Sequence, residues 1–196
     1  VSISNADRSP ELDYAATVSH GIAMEDFPFV EKPGEDYLLY YGRIHPDKGT
    51  REAVQLALDT GERLLIAGIV QDQAYFDSCV KPYLGTGQIE FLGRAGLLGN
   101  AKALLHLIAF HEPFGLSVVE SMACGTPVLA YGKGSMPELV LPGVNGFLAD
   151  TYSEARALLG EVVKVPRASC RQSVEERFTV ERMGAGYEQV YLDITG

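Results

Sequence analysis

Apolar residues fall along this chain in short compact runs, and most runs stop at a glycine or a polar loop. Tyr37–Tyr41 ends at Gly42, Arg63–Ala67 at Gly68 and Ile89–Leu92 at Gly93, while Ala103–Ile108 leads into Phe110-His111-Glu112. Pro127–Ala130 and Gly146–Leu148 add two more, and a weaker β-like stretch lies at Ala15–Ser19. Unbroken apolar runs of this length read as strands covered on both faces, as parallel strands are. Between them the period changes. Ala53, Val54, Ala57 and Leu58 share one helical face of Thr50–Thr60, and Gly61 stops that helix. Helices are also predicted over Gln73–Tyr83, where Pro82 frays the end, over Leu97–Lys102 and over Leu116–Ala123. A helical turn at Ser135–Leu139 and helices at Ser153–Val163, Arg167–Arg177 and Thr179–Ile194 follow, with Ser153 and Thr179 as candidate N-caps. Strands alternating with helices predict an α/β fold with a doubly wound, mostly parallel sheet flanked by helices. Ligands of such folds bind beyond the carboxyl ends of the strands. Gly42-Arg43, Gly68, Gly93 and the stretch from His111 to Leu116 would gather there.

Composition narrows the function more than the fold. The 196 residues suffice for one α/β domain with a real core. A formal net charge of −10 leaves no excess of Lys and Arg for general binding to nucleic acid or anionic membrane. It still permits a local basic pocket for one diphosphate. Cys79, Cys124 and Cys170 form no C-x-x-C pair, which favours reduced cysteines in a cytoplasmic protein. No segment approaches the length of a membrane span, and no signal-peptide pattern opens the chain. The opening Val1-Ser2-Ile3-Ser4, without an initiator Met, reads as the tail of something longer. Residues 1–36 hold few periodic features and are expected to be a linker.

Three constellations carry candidate chemistry. Glu112 and Glu120 have seven residues between them, and Pro113 and Gly115 forbid one helix through both. A helix starting near Leu116 leaves Glu112 at its mouth and Glu120 about one turn in, leaning back toward the same mouth. Free backbone N–H groups and the helix dipole make that mouth attractive to an anion. Two carboxylates beside an anion site suit a ligand carrying both hydroxyls and phosphates. Paired acids for glycoside hydrolysis remain open on spacing alone. In Gly42-Arg43-Ile44-His45-Pro46-Asp47-Lys48-Gly49, two cations precede a helix, where the dipole does not favour them. A phosphate or diphosphate between Arg43 and Lys48 would resolve that conflict. The stretch is neither a P-loop nor G-x-G-x-x-G. The third constellation, Gly132-Lys133-Gly134-Ser135-Met136-Pro137-Glu138, could admit a ligand against its backbone or be a plain turn. His20, His45, His106 and His111 lack metal-ligand spacing, and His106, on an apolar run, reads as a satisfied core residue.

Taken together, Gly42-Arg43…Pro46…Lys48-Gly49, Glu112-Pro-Phe-Gly-Leu…Glu120…Met122-Ala-Cys-Gly-Thr-Pro-Val and Gly143-Val-Asn-Gly-Phe-Leu resemble the retaining glycosyltransferases of family 4, with the GT-B fold. The likeness covers about residues 15–194. It implies a Rossmann-like domain, the C-terminal half of a GT-B enzyme, that binds a nucleotide-sugar donor such as a UDP- or GDP-sugar. Residues 1–36 would be the end of the N-terminal domain and linker, 37–177 the donor-binding domain, and 178–196 a helix crossing back toward an absent N-terminal acceptor domain. By the same likeness Arg43 and Lys48 hold the diphosphate, and Glu112 contacts sugar hydroxyls beside the N–H groups of Phe114, Gly115 and Leu116. Glu120 accepts from the ribose, the base lies near Gly68, Leu92 and Gly93, and Gly42 is among the substrate-binding residues. Transfer would retain configuration and need no metal or other cofactor, and this chain would be inactive alone. A donor-binding subunit with a separate acceptor chain, or a sugar-nucleotide epimerase of the same fold, are the alternatives. The connection from Gly93 to Leu97 is shorter than the family's usual one.

Overall fold

The computed structural model describes residues 1–93 and 98–195. Its framework is one six-stranded parallel sheet: β1 Leu38–Tyr41, β2 Leu64–Ala67, β3 Ile89–Gly93, β4 Ala103–His106, β5 Val128–Tyr131 and β6 Gly146–Ala149. The strand order is β3-β2-β1-β4-β5-β6. It grows one way from β1 to β3 and the other way from β4 to β6, so the direction of winding reverses between β1 and β4. A Rossmann-like sheet opens a crevice at that reversal. The α/β, doubly wound fold expected from the alternation of strands and helices is the fold found.

Seven helices cover the sheet in the described residues: α1 Thr50–Thr60, α2 Gln73–Cys79, α3 Leu116–Ala123, α4 Met136–Leu139, α5 Tyr152–Val162, α6 Arg167–Glu175 and α7 Val180–Thr195. Side chains alternate across each strand and so feed two separate cores. Leu38, Tyr40, Leu64, Ile66, Ala103 and Leu105 face one core with Val54, Leu56 and Ala57 of α1 and Leu159 of α5. Tyr37, Leu39, Leu65 and Leu104 face the other with Val118, Val119 and Met122 of α3 and Cys170 and Val174 of α6. Both sheet faces are buried, which explains why β1, β2 and β4 read as continuous apolar runs.

Several expectations are corrected. No strand forms at Ala15–Ser19; Thr17 makes a single parallel bridge with Ser2, because only that short segment lies alongside. The helix expected over Gln73–Tyr83 ends at Cys79, and a 3-10 turn at Lys81–Tyr83 follows, since Pro82 has no N–H to continue the ladder. A 3-10 turn, Leu98–Asn100, replaces the helix expected over Leu97–Lys102, and Leu97 lies outside the described residues. Strand β4 ends at His106, two residues short of Ile108, and α6 ends at Glu175. The cap of α5 is Thr151, not Ser153: its side chain accepts from the Glu154 N–H at 3.2 Å. Thr179 Oγ1 accepts from the Arg182 N–H at 3.3 Å, the geometry of a cap ahead of α7.

Candidate functional site

A cavity of about 560 Å³ opens at the reversal between β1 and β4. Tyr40, Tyr41, Gly42 and Arg43 line it from the end of β1, His106 from the end of β4 and Ile108 from just beyond it, Lys48 from ahead of α1, and Glu112–Ser117 from the mouth of α3. Ile3 and His20 of the N-terminal segment close a further wall.

Each wall is shaped by the backbone that carries it. After β1 the chain must turn beneath β2, and the glycines make room. A Cβ on Gly68 would meet the Gly42 carbonyl oxygen at 1.8 Å. The Gly68 N–H donates to the Gly93 carbonyl at 2.6 Å, so Gly42, Gly68 and Gly93 step side by side across three strand ends. Gly49 joins the Lys48 loop to α1 with φ 72°, and a Cβ there would meet the Leu107 carbonyl oxygen at 2.2 Å. That contact presses α1 against the chain leaving β4. Pro46–Lys48 form a 3-10 turn whose preceding residue, His45, accepts through its ring from Asp47 N. The turn directs Lys48 inward.

Lys48 Nζ donates to Glu112 Oε2 at 2.6 Å, although 64 residues separate them. Both side chains are largely shielded, 13% and 19% exposed, so the pair is less screened than a surface ion pair. The ammonium also lies 4.4 Å from the centre of the Phe110 ring. Arg43 Nη1 donates to Gln71 Oε1 at 2.5 Å, so Gln71 accepts from it at the cavity edge. Helix α3 begins at Leu116 and has no side-chain cap at Gly115, so its first turn brings unclaimed N–H groups to the cavity. Positive charge, one carboxylate and a helix N-terminus thus meet in one place.

Glu120 lies in α3, as expected, but is not among the cavity-lining residues. Burial raises its pKa above the ordinary value; burial first, and the Glu120 charge second, raise that of the Tyr41 phenol, which does line the cavity. Gly68, Leu92 and Gly93 also stand outside the lining, next along the strand ends from Gly42. The connection Arg94–Leu97 lies outside the described residues.

Two readings of the sequence change. His106 is buried, 6% exposed, but it is not satisfied: its Nε2 has no hydrogen-bond partner. Burial first, and the Lys48 charge second, bring its pKa down to about 4, so the ring is neutral near pH 7. Gly134 has φ 57°, and a Cβ there would meet the Glu112 nitrogen at 2.5 Å. What approaches this glycine is the protein's own Glu112 loop. Among the described residues, no group of three or more His, Cys, Asp or Glu side chains could hold a metal ion.

The sequence profile of the family described as Glycosyl transferases group 1 matches residues 23–167. The chain belongs to this family. D-inositol 3-phosphate glycosyltransferase of Mycolicibacterium smegmatis is 31% identical over 98% of this chain and 50% of its own length. N-acetyl-alpha-D-glucosaminyl L-malate synthase of Bacillus anthracis is 27% identical over 82% of this chain and 46% of its own. The group 1 chain therefore spans about half the length of these curated relatives. The crystal structure of AviGT4, a glycosyltransferase involved in Avilamycin A biosynthesis, superposes with a TM-score of 0.80 at 28% identity, over all of this chain and 64% of that one.

Of the residues singled out in the sequence of this group 1 member, Gly42, Arg43, Lys48, Glu112, Phe114, Gly115 and Leu116 line one cavity. Ile3, His20, Tyr40, Tyr41 and His106 line it too and were not singled out as site residues. Tyr40, Tyr41 and His106 had one available signal: each occupies the end of a strand on the edge where ligands of such sheets bind. Ile3 and His20 had none, since nothing local says that their segment folds back over the cavity.

Proposed function

We propose that this chain is the donor-binding half of a glycosyltransferase that moves a sugar from a nucleotide sugar to an acceptor. The observation that carries it is the meeting of Lys48 and Glu112 at 2.6 Å, beside Arg43 and the mouth of α3. A nucleotide sugar needs this combination: cations and the first-turn N–H groups of α3 for the diphosphate, and a carboxylate with the neighbouring Phe114 and Gly115 N–H groups for the sugar. Its charge also changes during the reaction in the place these groups occupy. When the bond from the anomeric carbon to the phosphate oxygen breaks, the electron pair stays on the diphosphate. Preorganised cations and a helix N-terminus stabilise that charge without reorganising. The acceptor hydroxyl bonds to the anomeric carbon, and its proton passes to the departing phosphate oxygen. Attack on the face that the phosphate leaves gives retention, the family 4 course. Arg43 and Lys48 do the work a metal does elsewhere, so the reaction runs without one.

Residues 37–177 form the donor domain in this reading, with Glu120 on the ribose and the base along Gly42, Gly68, Leu92 and Gly93. Residues 1–36 and 178–196 link it to an acceptor-binding half. Alone, the chain binds donor and transfers nothing. No helix among the described residues is long and apolar enough to cross a membrane. Three buried free cysteines favour a reducing, cytoplasmic setting.

Calorimetric titration of the chain with UDP, GDP and ADP, and with their glucose and mannose conjugates, tests the reading. One nucleotide series should bind, with the sugar conjugate distinguished from the free diphosphate. No binding at millimolar concentration in any series would remove the donor site.

A further inference from the structure

The loop Glu112–Gly115 offers the cavity a carboxylate and a run of backbone N–H groups, but no strand or helix holds the loop itself. Its three successive carbonyls are instead held from behind. Glu112 O accepts from the Ser135 N–H at 2.9 Å. Pro113 O accepts from Ser4 Oγ at 2.5 Å, and Phe114 O from Ser135 Oγ at 2.5 Å. Both serines are buried, 2% and 0% exposed. Ser4 Oγ also accepts from the Asp7 N–H at 3.0 Å, which fixes its own proton on the Pro113 carbonyl. In a trans peptide the C=O of one residue and the N–H of the next point opposite ways. Holding the carbonyls of Pro113 and Phe114 therefore aims the N–H groups of Phe114 and Gly115 away from the brace.

Half of that brace comes from far along the chain. Ser4 is 109 residues from Pro113. Its neighbours are anchored separately on α4. Glu138 accepts from Asn5 N at 2.9 Å, Asn5 Nδ2 at 3.1 Å and Ala6 N at 2.9 Å. Just before Ser4, Ile3 forms part of the cavity wall. Residues 3–6 are thus wall, brace and anchor in succession.

We propose that Ser4 and Ser135 are positioning residues for the Glu112–Gly115 loop, and that Glu138 locks the N-terminal strap as a working part of the donor site. The inference rests on the donor-site reading and adds a direction to it. Whatever shifts the strap is transmitted to the peptide that aims the Phe114 N–H. The sugar-facing loop therefore depends on the position of the preceding chain, while Arg43, carried on the far side of the cavity, does not.

Ser4→Ala, Ser4→Thr and Glu138→Gln distinguish this role from plain stability. Two readouts are needed: nitrogen-15 order parameters of Phe114 and Gly115 without ligand, and calorimetric affinities for the nucleotide sugar and its free diphosphate. The series used is the one that wild type binds best among UDP-, GDP- and ADP-glucose. In Ser4→Ala the order parameters should fall from the rigid range near about 0.85 toward about 0.6. Its affinity for the nucleotide sugar should drop about tenfold, as for one lost hydrogen bond, and its affinity for the free diphosphate by less than about threefold. Ser4→Thr, which keeps the hydroxyl, should restore both, and Glu138→Gln should shift them in the same direction by less. Order parameters that stay at wild-type values in Ser4→Ala overturn the brace. Equal losses for sugar and free diphosphate overturn its positioning role. A wild-type chain that binds none of the nucleotides overturns the donor reading underneath, and the ligand-free order parameters tell that failure apart from the others.

Discussion

Lys48 and Glu112 are already paired, so a phosphate entering the cavity must compete with a carboxylate for the same ammonium. Two consequences of opposite sign follow. Arg43→Ala and Lys48→Ala should each weaken diphosphate binding by roughly 1–3 kcal/mol, the usual cost of a hydrogen bond to a charged group. Wild-type affinity in both variants would break the diphosphate assignment. Glu112→Gln should do the reverse to the free diphosphate. It releases Lys48 and removes a like charge, so affinity should rise by about 0.5–1 kcal/mol, while the preference for the sugar conjugate falls. Calorimetry on both ligands separates these effects. Glu120 supplies a pH dependence. Burial raises its pKa, so the folded state holds its proton to higher pH than the unfolded chain does. Protons bound in the native state then exceed those in the unfolded state across the window between the ordinary and the raised value. Stability is full below that window and falls as pH rises through it. In the proposed donor reading, ribose binding needs the ionised form and changes the other way, improving as pH rises through the raised value. Glu120→Gln should therefore melt higher than wild type at neutral pH but bind nucleotide more weakly, without that acidic limb. A variant that melts lower contradicts the sign.

The elements explain why these side chains meet, and Gly49 is the sharpest case. Its φ is 72°, and the Leu107 carbonyl oxygen stands 2.2 Å from where an alanine Cβ would have to go. Gly49→Ala should cost at least about 2 kcal/mol from backbone conformation alone and displace Lys48 with α1. Urea denaturation reads the first effect, and loss of diphosphate binding the second. The glycines that mark strand ends made the sheet legible, and at Gly68 the Gly42 carbonyl leaves no room for a Cβ. Gly42 and Gly68 could be placed in this way before their contact was seen. The motif around Glu112 was legible because proline and glycine fix where α3 can start. What stayed hidden depended on contacts remote in sequence. Ser4 and Glu138 belong to the loop only through bonds spanning more than 100 residues. His106 looked like core because its neighbours are apolar, and only packing shows that its Nε2 lacks a partner. Thr151 could have been read as the cap, since Thr151-Tyr152-Ser153-Glu154 has the capping-box spacing. Thr151→Ala should cost about 1 kcal/mol of stability.

At the scale of the whole molecule, folding and activity separate. Two buried cores lie on either side of a six-stranded sheet, and one of them includes Ile22 and Phe178 from the segments that flank residues 37–177. Helix α7 differs: it has no buried residue, and Tyr191, Leu192 and Ile194 are 68%, 59% and 68% exposed. A helix that contributes so little to this core can be altered cheaply. Tyr191→Ser, Leu192→Ser and Ile194→Ser should each change the stability of this chain by less than about 0.5 kcal/mol. The relatives it matches are about twice as long, and in the proposed reading the donor site occupies one wall of a cleft. The isolated chain should therefore bind nucleotide at a site that is complete on its own side, yet transfer no sugar. The same α7 changes made in a polypeptide that also carries the preceding half should lower transfer while leaving nucleotide affinity intact, because they disturb how the halves meet and not the Lys48–Glu112 cavity. Transfer catalysed by residues 1–196 alone, measured by release of free nucleoside diphosphate dependent on an acceptor, would mean that the acceptor is held here and that the division of labour drawn across the cavity is wrong.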